Sequence, residues 1–73
     1  MPQEIVEVPI TGKILSVNVK AGDKISEGDI LCTLESMKME NPILSPVDGT
    51  VSQVGVAADQ VVKPGETIAI IDY

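Results

Sequence analysis

The chain is two copies of one motif. Sliding the sequence against itself by 37 positions lays residues 9–35 on residues 46–72 without a gap, from Pro9 on Pro46 onward. Gly12 falls on Gly49, Val17 on Val54, Val19 on Val56, Ala21 on Ala58 and Gly28 on Gly65. Conservative pairs fill the intervals: Ile10 with Val47, Ile14 with Val51, Ile25 with Val62, Leu31 with Ile68, and Leu34 with Ile71. Even the charges agree, Asp29 with Glu66 and Glu35 with Asp72. A repeat this short cannot bury its apolar face alone, so the two copies must close on each other.

Each copy reads as strands. Gly12 or Gly49 opens a strand in which Ile14, Val17 and Val19, or Val51, Val54 and Val56, alternate with outward Lys13, Ser16, Asn18 and Lys20 or their counterparts. The spacing from Ile14 to Val17 breaks strict period two and predicts a bulge or bend. A polar loop follows at 21–24 or 57–60, then a short apolar touch at Ile25 or Val61-Val62. A turn at Glu27-Gly28-Asp29 or Pro64-Gly65-Glu66 leads into a last strand, Ile30 to Leu34 or Thr67 to Ile71. Glycines 12, 28, 49 and 65 read as turn residues; none forms a phosphate-cradling loop leading into a helix. No helical period is visible. The expected fold is all-β: a flattened eight-stranded barrel or sandwich, two half-repeats about a pseudo-two-fold axis, as one domain over residues 1–73.

Composition narrows the function. Seventy-three residues allow one small core and leave little room for a deep catalytic pocket. Val and Ile dominate the apolar content, and Tyr73 is the single aromatic, which argues against a base-stacking platform. A net charge of -6 disfavours nucleic acid and suits basic partner faces. The absence of histidine removes imidazole catalysis and histidine metal ligation. Cys32 is the one cysteine, so it has no internal disulfide partner, and its apolar neighbours mark it as a small buried residue. The acidic residues show no metal-ligand spacing. No apolar run reaches the ~18 residues of a membrane span, and the first residues lack a secretory pattern. A cytoplasmic, monomeric protein is the expectation.

Between the half-repeats lies Glu35-Ser36-Met37-Lys38-Met39-Glu40-Asn41-Pro42, with a hairpin expected at 36–41. The repeat places this tip opposite the chain termini, exposed and free of the core. Strand alternation would set Met37 and Met39 on one side and Lys38 on the other. Methionine is flexible and polarizable, suited to an adaptable contact surface, whereas Val and Ile already supply the core.

Glu-Ser-Met-Lys-Met-Glu, then Pro42 and Ser45-Pro46-Val47-Asp48-Gly49, resembles the attachment site of biotinyl domains in the biotin/lipoyl attachment family. The resemblance spans residues 5–72 and includes Pro9, Gly12 and Lys63-Pro64-Gly65-Glu66. It implies a non-catalytic biotin carboxyl carrier, acylated on Lys38 by a biotin protein ligase, with Met37 and Met39 as flanking recognition residues. Glu35 and Glu40 are candidate ligase contacts, and Glu35 also has a structural reason in its match to Asp72. A free lysine titrates near pKa 10.4, so the ligase must supply the deprotonating environment. The side chain and its biotin form an arm of roughly 12–15 Å, enough to carry carboxybiotin between biotin carboxylase and carboxyltransferase sites.

Three alternatives stand beside this. A lipoyl carrier has a similar fold and a lipoate-attaching enzyme as partner, but its lysine usually follows Asp and precedes Ala; here both neighbours are Met. A permissive tip accepts both groups. An unmodified adaptor uses the same fold for interaction alone, and Lys38 is then a solvated turn lysine. Ser36 as a phosphopantetheine site is disfavoured, because acyl carriers place that serine at a helix start.

Overall fold

The computed structural model describes residues 2–73, and every regular element in it is a strand. In chain order these are β1 (Gln3–Glu7), β2 (Gly12–Val17), β3 (Lys24–Ile25), β4 (Ile30–Ser36), β5 (Met39–Leu44), β6 (Gly49–Val54), β7 (Val61–Val62) and β8 (Thr67–Asp72). They form two four-stranded antiparallel sheets, ordered β1-β8-β6-β3 and β5-β4-β2-β7. The expected all-β sandwich of eight strands is what the chain adopts.

The two halves are woven into each other. Each sheet takes its two central strands from one half and its two edge strands from the other. Register follows the repeat residue for residue: Lys13 opposes Glu35 where Thr50 opposes Asp72, and Ile14 opposes Leu34 where Val51 opposes Ile71. The correspondence extends past the matched sequence, since Gln3 opposes Asp72 as Glu40 opposes Glu35. The predicted bulge is present in both copies, between Ile14 and Ser16 and between Val51 and Gln53. One extra residue there returns Val17 and Val54 to the inner face, where both pack against the core.

Ile14, Leu31, Cys32, Leu34, Val51, Val62, Ala69 and Ile71 are fully buried between the sheets. Most of this layer is dyad-matched, so one packing solution is used twice. Cys32 sits in it with Ala69 as its counterpart, and desolvation pushes its thiol up from the ordinary value. A buried thiol held protonated is a packing group, not a nucleophile.

The structure divides the four repeat glycines. Gly28 and Gly65 are turn residues with φ of 91° and 93°. Gly12 and Gly49 are not; they open β2 and β6, and a Cβ built there lies 2.3 Å from the carbonyl oxygen of Glu35 or Asp72. They are required by close approach of backbone to backbone.

The same symmetry pairs the two ends of the repeat. The β4–β5 connection corresponds to the meeting of the chain ends, where the Tyr73 N–H donates to the Pro2 carbonyl at 3.1 Å. One end of the repeat is therefore a closed hairpin and the other is formed by both termini.

Candidate functional site

The β4–β5 hairpin closes through two residues only. Ser36 opposes Met39, and Met37 and Lys38 make the turn, with φ of 54° and 66°. A two-residue loop with both φ values positive is the type I′ geometry, whose twist matches the strands it joins. Asn-Gly is the sequence this geometry prefers, because other side chains resist positive φ. Methionine and lysine at those places cost about 1 kcal/mol or more each.

This corrects the expectation drawn from strand alternation. Met37 and Lys38 are both turn residues, so a period of two does not extend through them, and Met37 and Met39 are not same-face neighbours on one strand. Their exposure does not depend on that point. Met37 is 91% exposed, Met39 67%, and Lys38 is exposed between them. Neither methionine belongs to the core cluster.

The strands leading to the turn carry a second local cost. Glu35 and Glu40 lie directly opposite one another, both exposed. Like charges in facing positions of a ladder are mutually destabilising. At the dyad-related end the same positions hold Asp72 and Gln3, joined by a hydrogen bond of 2.9 Å from Gln3 Nε2 to Asp72 Oδ1. On its other side Glu35 faces Lys13, whose Nζ lies 3.8 Å from Asp59 Oδ1. The hairpin thus gathers strained backbone, opposed carboxylates and exposed thioethers within residues 35–40. Such local conflicts in an otherwise consistent sequence are expected where function is served.

Asn41 is the residue that sequence reasoning passed over. On β5, Asn41 and Ile43 are half-buried while Glu40, Pro42 and Leu44 are exposed, so Asn41 occupies the inward row. Its Nδ2 donates to the Met39 carbonyl at 3.2 Å and to the Leu34 carbonyl at 3.4 Å. A visible clue was there: asparagine is disfavoured within a strand, and this one stands in an apolar row.

Elsewhere, an open cleft of about 550 Å3 lies between the segment 18–25, which ends in β3, and residues 28–30, where a turn leads into β4. Its carboxylates are already used in turns: Asp23 Oδ2 accepts from the Lys20 N–H at 3.0 Å, and Asp29 Oδ2 accepts from the Ser26 N–H at 2.8 Å. Of its lining residues only Ile30, at the far end of β4, belongs to the hairpin, and none lies in the Met37–Lys38 turn.

Comparison with known proteins agrees with the geometry. The family model described as biotin-requiring enzyme matches residues 3–71. A biotinylated protein TB7.3 homolog of Mycobacterium leprae is 47% identical over 68 residues, covering 93% of this chain and 96% of that protein. A biotin carboxyl carrier protein of Streptococcus mutans is 44% identical over 63 residues, covering 86% of this chain and 48% of that protein. The dihydrolipoyllysine-residue acetyltransferase component of a pyruvate dehydrogenase complex from Acholeplasma laidlawii is 43% identical over 60 residues, covering 82% of this chain and 11% of that one. A single-chain, multi-domain long-chain acyl-CoA carboxylase contains a region that superposes with a TM-score of 0.86 at 25% identity, over 93% of this chain and 7% of that chain. The chain thus spans nearly all of the mycobacterial relative and only part of the others. Among the described residues no helix is long and apolar enough to cross a membrane.

Proposed function

The chain belongs to the biotin/lipoyl attachment family, and from that premise we propose that it is a biotin carrier joined to its cofactor through an amide on Lys38. The carrying observation is the placement of Lys38. It is an exposed residue of a two-residue turn, beside exposed Met37 and Met39, at the end of a hairpin whose strands are held by the sandwich. A ring system on a flexible tail fits such a tip, because Lys38 and both its neighbours are exposed. When bound, biotin supplies a ureido ring that accepts and releases a carboxyl group.

The protein's own residues do simpler work. The sandwich fixes the hairpin, the turn holds the Lys38 amine away from the core, and Met37 and Met39 offer soft apolar contact to an acylating enzyme. Glu35 and Glu40 give the same surface a negative rim for basic residues of that enzyme. The domain, taken as one unit over 1–73, supplies no catalysis; its partners are a biotin protein ligase and the biotin carboxylase and carboxyltransferase components of a cytoplasmic system.

The lipoyl reading retains one supporting observation, the relative from a pyruvate dehydrogenase complex. The methionines on both sides of Lys38 weigh against it.

Carrier function is tested by offering the biotinylated protein to a biotin carboxylase with ATP and bicarbonate, against free biotin at equal concentration. The tethered group is expected to turn over at a kcat/KM at least about tenfold higher, because docking adds binding energy that free biotin lacks. Equal turnover of the two contradicts a carrier role.

A further inference from the structure

We propose that Asn41 is a positioning residue, which braces the Met37–Lys38 turn so that Lys38 is presented in one geometry to the enzyme that acylates it. The proposal rests on the reading of Lys38 as the attachment residue. Its structural part stands without that reading.

A turn with positive φ at two residues that resist it persists only where the surroundings determine it. The core does not do so here, because Met37, Lys38 and Met39 are all exposed. The strands are joined by their ladder up to Ser36 and Met39, and beyond them lies only the turn. The Asn41 side chain adds a tie at this point. One amide reaches Met39, the first residue after the turn, and Leu34, on the opposite strand. It therefore ties the first residue after the turn to β4, through the ladder pair Leu34–Asn41 that lies two pairs below Ser36–Met39. A valine or isoleucine in this inward position would suit a strand better and could not donate. The dyad-related position holds Glu4, whose side chain has no N–H to offer, and that end of the repeat has no turn to brace.

Two readouts test this on the intact protein: amide hydrogen exchange by residue, and the kinetics of a biotin ligase. In Asn41→Ala, the amides of Lys38, Met39 and Glu40 should exchange about three- to tenfold faster, as the loss of a modest hydrogen bond implies. Those of Leu31 and Ile71 should not change. The ligase KM for the protein should rise by a similar factor with kcat nearly constant. Asn41→Asp keeps the shape and removes the donor, so it should lose the brace as alanine does. In a Met37→Asn background, where the first turn residue tolerates positive φ, the effect of Asn41→Ala on exchange should shrink. Unchanged exchange at the tip overturns the proposal. So does faster exchange throughout the protein, which marks a purely structural residue, and so does an undiminished effect in the Met37→Asn background. If the ligase fails to acylate the parent protein, the reading of Lys38 falls, while the exchange measurements still decide the role of Asn41.

Discussion

Lys38→Arg is expected to eliminate biotin incorporation while leaving the fold intact. Acylation needs a neutral amine whose lone pair attacks the activated biotin carboxyl group. A guanidinium is effectively always protonated in proteins and has no such lone pair to give. Incorporation should fall at least about a hundredfold, to the background of the assay. The substitution keeps charge and length at an exposed turn, so unfolding should shift by no more than about 0.5 kcal/mol. Intact mass after incubation with ligase, biotin and ATP measures the first effect, and denaturant unfolding the second. The other lysines, Lys13, Lys20, Lys24 and Lys63, are internal controls. Labelling that persists in Lys38→Arg shows that one of them is the acceptor.

The second large effect belongs to the sandwich. Gly12→Ala places a Cβ 2.3 Å from the Glu35 carbonyl oxygen and 2.9 Å from Leu34 Cδ1. The first of these atoms is backbone in a central strand, so it cannot swing aside, and β2 and β4 must separate. Overpacking of this kind costs about 3 kcal/mol. A domain of this length has about 4–11 kcal/mol of total stability. The melting temperature should fall by roughly 12–24 °C. Gly49→Ala should behave alike, since its Cβ meets the Asp72 carbonyl oxygen at the same 2.3 Å. Gly28→Ala is the comparison: no atom lies within 4 Å, and only its φ of 91° opposes a side chain. That substitution should cost about 1 kcal/mol. Equal losses at Gly12 and Gly28 would show that the close approach of β2 to β4 is not what demands glycine. Because Glu35 is the contact, Gly12→Ala should also loosen the strand that leads to Lys38.

Much of this was legible in the residues, for identifiable reasons. Apolar alternation in two matched copies specified strands, pairing and core, because each buried position appears twice. Ile14, Val51, Leu34 and Ile71 fill one layer as two pairs. The bulge was legible from one misplaced residue between Ile14 and Val17. The exchange of edge strands between halves was not, since alternation says which face is buried and nothing about which sheet a strand joins. The pairing of β1 was hidden as well. Residues 3–7 and 40–44 hold equivalent places in their sheets, yet Ile5 stands where the other copy has Pro42. An edge strand constrains composition too weakly for such a repeat to survive in sequence.

At the tip, residue types pointed to Lys38 and its neighbours, whereas conformation did not follow from them. Met37-Lys38 has no turn signature, so strand alternation alone does not reveal the type I′ turn that these two residues form. Gly12 and Gly49 resemble turn formers in sequence because glycine usually serves that purpose; their contact partners lie more than twenty residues away in sequence. Asn41 stands out in the sequence only as a polar residue in an apolar row; its task depends on where the Met39 and Leu34 carbonyls lie, and only the folded hairpin brings them together.

The most direct test of the central claim is the intact mass of the protein after separate co-expression with a biotin ligase and with a lipoate ligase, followed by peptide mapping. The account predicts a single biotin adduct on Lys38 and no lipoyl adduct. A lipoyl adduct alone, or none from either ligase, would contradict it.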